Sequence, residues 1–355
     1  MSLRDYGWTD HWDQQFHSFA ELGLEAGRVV LEQRRRYTLR TEHEEISAEI
    51  VGRLLHHGAG PESLPAIGDW VAFSRPTRHH AIIQDVLPRK SKLSRKVAGR
   101  RTDEQVVAAN LDVVFLVMGL DGDFNLRRIE RLLVTAWDSG ATPVVVLNKA
   151  DLCDRLEQLR RAVQATAPGV PVVVVSCAHG RSVEEIRSHL EPGATVAMMG
   201  SSGVGKSSLI NRLLGHDLLR TGAVRHGDDR GRHTTTHRQL VALPDGALLI
   251  DNPGIRELQL WSTGDGLDAA FDDLGSLAAG CRFRDCTHRD EPGCAVRAAI
   301  DAGRFDAGRL RNYHDLQKEL HALEIRQDSA ARRKAGKRAQ AMFRSAKQAK
   351  AWRQT

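Results

Sequence analysis

No stretch of this sequence approaches the about eighteen uninterrupted apolar residues that would carry a helix across a bilayer. Its first residues, MSLRDYGWTDHWDQQF, offer no cationic end followed by an apolar run, so neither a spanning helix nor a secretory leader is expected, and the cytoplasm is the expected compartment. Cysteine is scarce and odd in number: Cys153, Cys177, Cys281, Cys286 and Cys294 are the only five in 355 residues. Such a set argues against a disulfide framework. Acidic residues are missing altogether from Ser329 to Thr355, a segment that holds nine Lys or Arg. That imbalance, together with a formal net charge of +6, favours an anionic partner and suits a tail that contacts RNA. The chain is not short of core material, since 41% of its residues are hydrophobic, and its length allows more than one domain.

What is present divides along the chain. Residues 1–36 are polar with scattered aromatics and read as an arm or a short helix. Over 37–100 come the strand-like pieces TLRTE, EISAEIVGRLL, DWVAFSR and AIIQDVL, separated by Gly and Pro. A small barrel is expected, with the basic run Arg89 to Lys96 on its rim, as in oligonucleotide-binding barrels. Over 101–265 the texture changes to DVVFLVM, PVVVLN, PVVVVS and TVAMMG, alternating with helical patterns such as NLRRIERLLVTAWDSG. Runs so continuously apolar are buried on both faces, so a parallel sheet covered by helices is expected, completed by a pair near HRQLVAL and GALLID. Residues 266–328 read as a cysteine-rich segment followed by helices, with the charged, periodic stretch RLRNYHDLQKELHALE, and 329–355 is the basic tail.

Gly200-Ser201-Ser202-Gly203-Val204-Gly205-Lys206-Ser207 follows the strand TVAMM and opens the helix that continues with Ser208. This is the phosphate-binding loop pattern. Its glycines let successive N–H groups curl around phosphate oxygens, Lys206 neutralises them, and the Ser207 hydroxyl binds magnesium. Asn148-Lys149-Ala150-Asp151 follows another buried strand. There the Asp151 carboxylate can accept both N1–H and N2–H of guanine, a pair adenine lacks. The Lys149 stem can cover the base, and Asn148 can tie the loop to its neighbours. Ser176-Cys177-Ala178 ends the next strand and can direct the Ala178 N–H to guanine O6, with Cys177 a packing thiol.

Asp251-Asn252-Pro253-Gly254 follows the strand ALLI. Asp251 would serve magnesium and the Gly254 N–H would sense the γ-phosphate. Between this and the phosphate loop lies Arg230-Gly231-Arg232-His233-Thr234-Thr235-Thr236, from which a threonine, with Thr235 preferred, would complete the magnesium shell. The water-orienting glutamine of Ras-like enzymes is missing, and Ile255 stands in its place. His233 or a group from a partner must therefore orient the attacking water. The motifs run Asn148, Ser176, Gly200, Thr235, Asp251, a rotation of the ordinary order that closely spaced chain ends permit. Finally, Cys281, Cys286, His288 and Cys294 form C-x4-C-x-H-x5-C. Three thiolates and one imidazole fit a closed structural zinc site, and the charged residues between them could not fold without metal.

These residues resemble the circularly permuted bacterial GTPase family RsgA, ribosome small-subunit-dependent GTPase A. The likeness rests on PAIGDWV, LPRKSKLSR, AANLD, NKAD, GSSGVGKSSLIN, RGRHTTTHR, DNPGIREL, the Cys/His knuckle and RLRNYHDLQKEL. It implies a multidomain chain: an all-β oligonucleotide-binding barrel, an α/β P-loop GTPase domain with permuted connectivity, and a C-terminal zinc-binding helical domain. It further implies GTP hydrolysis to GDP, action late in maturation of the small (30S) ribosomal subunit, binding to 16S rRNA, and faster hydrolysis on the subunit. The family's histidine before the threonines maps to His233. Members often have Thr or Ser after the switch aspartate and a Phe-Gly pair downstream, where this chain has Asn252 and Leu258-Gln259, departures that suit a diverged paralogue. The alternative is a permuted GTPase acting as a nucleotide-gated clamp on another RNA or ribosomal target. Nothing in the sequence calls for self-association or a membrane, so a monomer is expected.

Overall fold

The structure is a computed structural model and describes residues 2–33, 36–52, 54, 60–96, 104–122, 124–180, 182–215, 238–252, 255 and 265–327. After helix α1 (Asp10–Glu21), five strands form the barrel: β1 (Glu25–Gln33), β2 (Arg36–Arg40), β3 (Glu45–Ile50), β4 (Trp70–Thr77) and β5 (His80–Val86). They run in the order β1-β2-β3-β5-β4, and β4 returns to pair with β1, closing the wall. In β2 and β3 burial alternates, placing Tyr37, Leu39, Ile46 and Ala48 in the barrel core, as a strand with one wet face must.

The reading of residues 1–36 as an arm or short helix needs correction, because that stretch contains the barrel's first strand as well as α1. Strand β1 escapes a pattern reading because Arg28 occupies one of its buried positions. Its guanidinium donates to Gly68 O at 3.3 Å, to Thr195 Oγ1 at 2.7 Å and to Tyr6 O, and lies over the Trp70 ring. Burial pulls its pKa down to about 10, opposed by the nearby Asp112 and Asp69, so it stays charged at neutral pH. Trp8 and Trp12 of the N-terminal segment pack their rings on Trp70 of β4, and all three belong to the main core rather than to the barrel core.

The basic run turns into a separate hairpin, β6 (Lys92–Lys96) and β7 (Glu104–Ala109), between the barrel and the second domain. The second domain follows with β8 (Val113–Gly119), β9 (Thr142–Asn148), β10 (Val172–Val174), β11 (Thr195–Met199), β12 (Arg238–Ala242) and β13 (Leu248–Asp251). The order β10-β9-β8-β11-β13 is parallel throughout, and β12 pairs antiparallel with β13 on one side and with β1 on the other. One continuous sheet therefore runs from the nucleotide-type domain into the barrel wall.

Helices α2 (Leu126–Ser139), α3 (Leu156–Thr166), α4 (Val183–Arg187) and α5 (Lys206–Leu214) belong to the α/β domain. Asn125 caps α2 by accepting from Arg127 N and Arg128 N, and Gly140 ends it in the left-handed conformation. The C-terminal part comprises α6 (Asp265–Ala270), α7 (Asp272–Ala278), α8 (Ala295–Asp301) and α9 (307–327). It is clasped to α2 by buried charge. Arg309 donates to Glu130 at 3.0 Å and to both oxygens of Asp273, while Asn312 and Arg127 also donate to Glu130. Burial pushes the Glu130 carboxyl up, and Arg127 and Arg309 pull it back. Removing one member of such a pair costs about 3–5 kcal/mol, because the other charge is left buried and uncompensated. Among the described residues no helix is long and apolar enough to cross a membrane.

Candidate functional site

The carboxyl ends of β9, β10 and β11 meet at one edge of the sheet, where an open α/β fold gathers its ligand-binding loops. After β9 the chain turns sharply: Lys149 takes φ +64, a left-handed conformation rare for a side chain of its size. This turn presents Asp151 in the next half-turn and sends the Lys149 ammonium to Asp121 Oδ2 at 2.5 Å. Ser176 Oγ donates to Asp151 Oδ1 at 2.5 Å, and His179 Nδ1 lies 3.2 Å from the same hydroxyl. Asn148 is buried and makes two bonds: Nδ2 donates to Val204 O at 2.9 Å, and Oδ1 accepts from Cys177 N at 3.2 Å. One carboxamide thus ties the three loops together.

The glycine loop follows β11 and ends at the first turn of α5. Gly200 (φ +145) and Gly205 (φ +97) admit no side chain: a Cβ would lie 2.2 Å from Val117 O in the first case and 2.1 Å from Asn148 Nδ2 in the second. Ser201, Ser207 and Ser208 are half-buried, Ser202 and Gly203 exposed, and Val204 buried. Lys206 is buried, and its ammonium donates to Gly200 O at 2.6 Å and Ser201 O at 2.5 Å, so it lies over the loop itself. Asp251 and Asn252 are buried at the end of β13. Thr235, His233 and Gly254 lie outside the described residues.

A cavity of about 700 Å³ opens between these loops, lined by Asn148, Lys149, Asp151, Cys177, Ala178, Gly205 and Ser208 among others. Burial pushes the Cys177 thiol up to about 11, which leaves it protonated and unsuited to nucleophilic work. Two residues here go unread in the motifs. Asp121 holds Lys149, and Arg212 of α5 donates from Nε to Cys177 O at 3.1 Å, fixing the loop that carries Ala178. The spacing of Arg212 four residues after Ser208 puts both on one face of α5, a signal the sequence did carry.

The second cluster lies between α7 and α8. The ligand atoms of Cys281, Cys286, His288 and Cys294 all fall within 4.8 Å of one another. His288 Nδ1 is 3.6 Å from Cys281 Sγ and 3.5 Å from Cys294 Sγ, and the two sulfurs are 3.9 Å apart. Glu291, which is no ligand, accepts from Thr287 N, Arg289 N and Asp290 N and so shapes the loop around them. Four soft donors at these separations make a metal-binding set.

The chain is similar to known proteins along most of its length. A profile of the RsgA GTPase family matches residues 86–261. The small ribosomal subunit biogenesis GTPase RsgA 2 of Lactiplantibacillus plantarum is 46% identical over 324 residues, covering 90% of this chain and 91% of that protein. The small ribosomal subunit biogenesis GTPase RsgA of Opitutus terrae is 49% identical over 329 residues, covering 90% of each. Among solved structures, YjeQ from Thermotoga maritima is 29% identical with a TM-score of 0.64, covering 84% of this chain and 98% of that one. YloQ, a circularly permuted GTPase, is 21% identical with a TM-score of 0.61 over 84% of this chain and 96% of its own, a likeness of fold. With relatives this similar along nine-tenths of its length, the chain belongs to the RsgA family of GTPases.

Proposed function

We propose that this protein hydrolyses GTP to GDP and phosphate in the late maturation of the small (30S) ribosomal subunit, acting in the cytoplasm as a monomer bound to 16S rRNA. The observation that carries the nucleotide reading is the Asn148 carboxamide, which joins the base-side and phosphate-side loops into one site. In that site the Asp151 carboxylate accepts N1–H and N2–H of guanine, the Ala178 N–H donates to O6, and the Lys149 stem covers the ring. Backbone N–H groups from Gly200 to Ser208 take the phosphates, and Lys206 leaves its carbonyl partners for their oxygens. Ser207, Thr235 and Asp251 would hold magnesium, which when bound neutralises phosphate charge. The Gly254 N–H would meet the γ-phosphate.

Ile255 cannot orient water, and its side chain is buried in the main core. His233 or a subunit group takes that task, which makes hydrolysis slow alone and fast on the subunit. Single-turnover hydrolysis is expected to rise roughly 10²-fold or more with purified small subunits, the size of a well-placed acid–base group, and much less with large subunits or free RNA. Equal rates in all arms would sink the ribosomal reading. The functional division follows the sequence boundaries at 100, 265 and 328, with the barrel extended back to Glu25.

The metal we assign to the cluster is zinc. Tetrahedral zinc with Zn–S of about 2.3 Å and Zn–N of about 2.05 Å would need sulfur–sulfur edges of roughly 3.8 Å and sulfur–nitrogen edges of roughly 3.6 Å, close to the separations among Cys281, His288 and Cys294. Freshly purified protein is expected to carry one zinc per chain, and its removal to abolish hydrogen-exchange protection over Cys281–Cys294. Metal analysis finding no zinc would remove the assignment.

A further inference from the structure

The residue after the switch aspartate points toward the barrel. Asn252 is 5% exposed, and its Nδ2 donates to Val107 O at 2.6 Å. Val107 belongs to β7, the strand that returns from the barrel to the GTPase sheet. Just beyond it, Ala109 N donates to Ile67 O at 3.0 Å, and Asn110 Nδ2 donates to Gly68 O at 3.1 Å. Gly68 N in turn donates to Val29 O of the barrel wall at 2.9 Å. At Gly68 (φ +88) a Cβ would lie 2.3 Å from Ala109 O, so β7 sits against the PAIGDWV turn at a distance only glycine allows. The sheet makes a second link, because Asp251 lies opposite Gln239 and Gln239 opposite Leu31 of β1. Asp251 is thus tied through β12 to β1, and its neighbour Asn252 to β7, which rests on the PAIGDWV turn.

We infer that Asn252 is a positioning residue, through which a load on the barrel reaches the Asp251 carboxylate and nucleotide at Asp251 reaches the barrel. This rests on the GTPase reading above. The β13-β12-β1 ladder is backbone bonding and moves as a body. The bond from Asn252 to Val107 O is made by a side chain, which one nucleotide state can keep and the other release. Coupling of this kind is reciprocal: the factor by which the barrel's ligand changes GTP affinity is the factor by which GTP changes affinity for that ligand. A serine or threonine hydroxyl at this position has a shorter reach toward Val107 O, so this chain's asparagine is the residue that makes the link.

The test compares wild type with Asn252→Ala and Asn252→Ser as full-length, metal-replete protein. Hydrogen exchange of β7 and of Ile67–Asp69 is measured with GDP and with a non-hydrolysable GTP analogue, alongside affinity for small subunits in both states. In wild type the two nucleotides are expected to give different protection in β7. In Asn252→Ala that difference disappears, and the ratio of subunit affinities moves toward one by roughly two- to ten-fold, the worth of one buried hydrogen bond. Asn252→Ser, with its shorter reach, restores at most part of both, and because the bond differs between the nucleotide states, the free protein's ratio of GTP to GDP affinity shifts by a similar roughly two- to ten-fold in Asn252→Ala. Nucleotide-independent exchange in wild-type β7 would overturn the inference, and so would an Asn252→Ala protein that keeps the wild-type difference. If the exchange difference depends on Asn252 but subunits bind without regard to nucleotide, the positioning role stands and the ribosomal reading falls.

Discussion

Replacing Asp151 by asparagine is expected to weaken GDP binding by roughly 10³-fold, the combined worth of a lost charged hydrogen bond and a donor left facing a donor. The carboxylate offers acceptors to both guanine N–H groups. A carboxamide keeps one acceptor but turns an N–H toward the N2 amino group. Xanthine has a carbonyl at that position, so the Asp151→Asn protein is expected to bind xanthosine diphosphate more tightly than GDP. Calorimetry with both nucleotides measures the inversion. The fold should not suffer, since the Ser176 hydroxyl can still donate to the remaining oxygen at residue 151. A variant that still prefers GDP would mean that the base is read elsewhere, by the Ala178 N–H or by groups not facing this cavity.

The parts of this site that could be read from sequence share a physical character. Strands β8, β9 and β11 are buried on both faces, so their apolar runs are nearly unbroken, and β9 and β11 each lead at once into a residue with a chemical task. The rotated motif order follows from reading those tasks in sequence. The first barrel strand was not legible, because Arg28 stands where an apolar residue would mark the inward face and its partners, Gly68 and Thr195, are 40 and 167 residues away. The clasp of Glu130 by Arg309 and Asn312 was hidden for a related reason. Charged residues on periodic helices read as solvated, and nothing local says that two such faces meet each other. The metal cluster was legible because its four ligands lie close in the chain and their chemistry does not depend on distant packing. Asn252 falls between these cases: its place beside the switch was visible, but its bond to Val107, 145 residues earlier, was not.

Lys206→Ala is expected to slow hydrolysis at saturating GTP by roughly 10²–10³-fold, the effect of removing one preorganised charge from a water-poor site. The ammonium is already largely desolvated here, since Lys206 is buried, and it donates to the loop carbonyls Gly200 O and Ser201 O. Moving from neutral carbonyls to phosphate oxygens gains charge attraction without a further large desolvation cost, and the gain grows as negative charge builds on the β-γ bridge in the transition state. Alanine forfeits that increment. GTP affinity should fall as well, because part of the attraction exists before the reaction. Preference for guanine over adenine should survive, since Asp151 is carried by a different strand and held by Ser176 rather than by the phosphate loop. Loss of rate with retained base selectivity therefore separates the two halves of the pocket. An Lys206→Ala protein that turns over GTP as fast as wild type would mean that the loop binds phosphate without assisting its transfer, and the catalytic charge would have to come from the subunit.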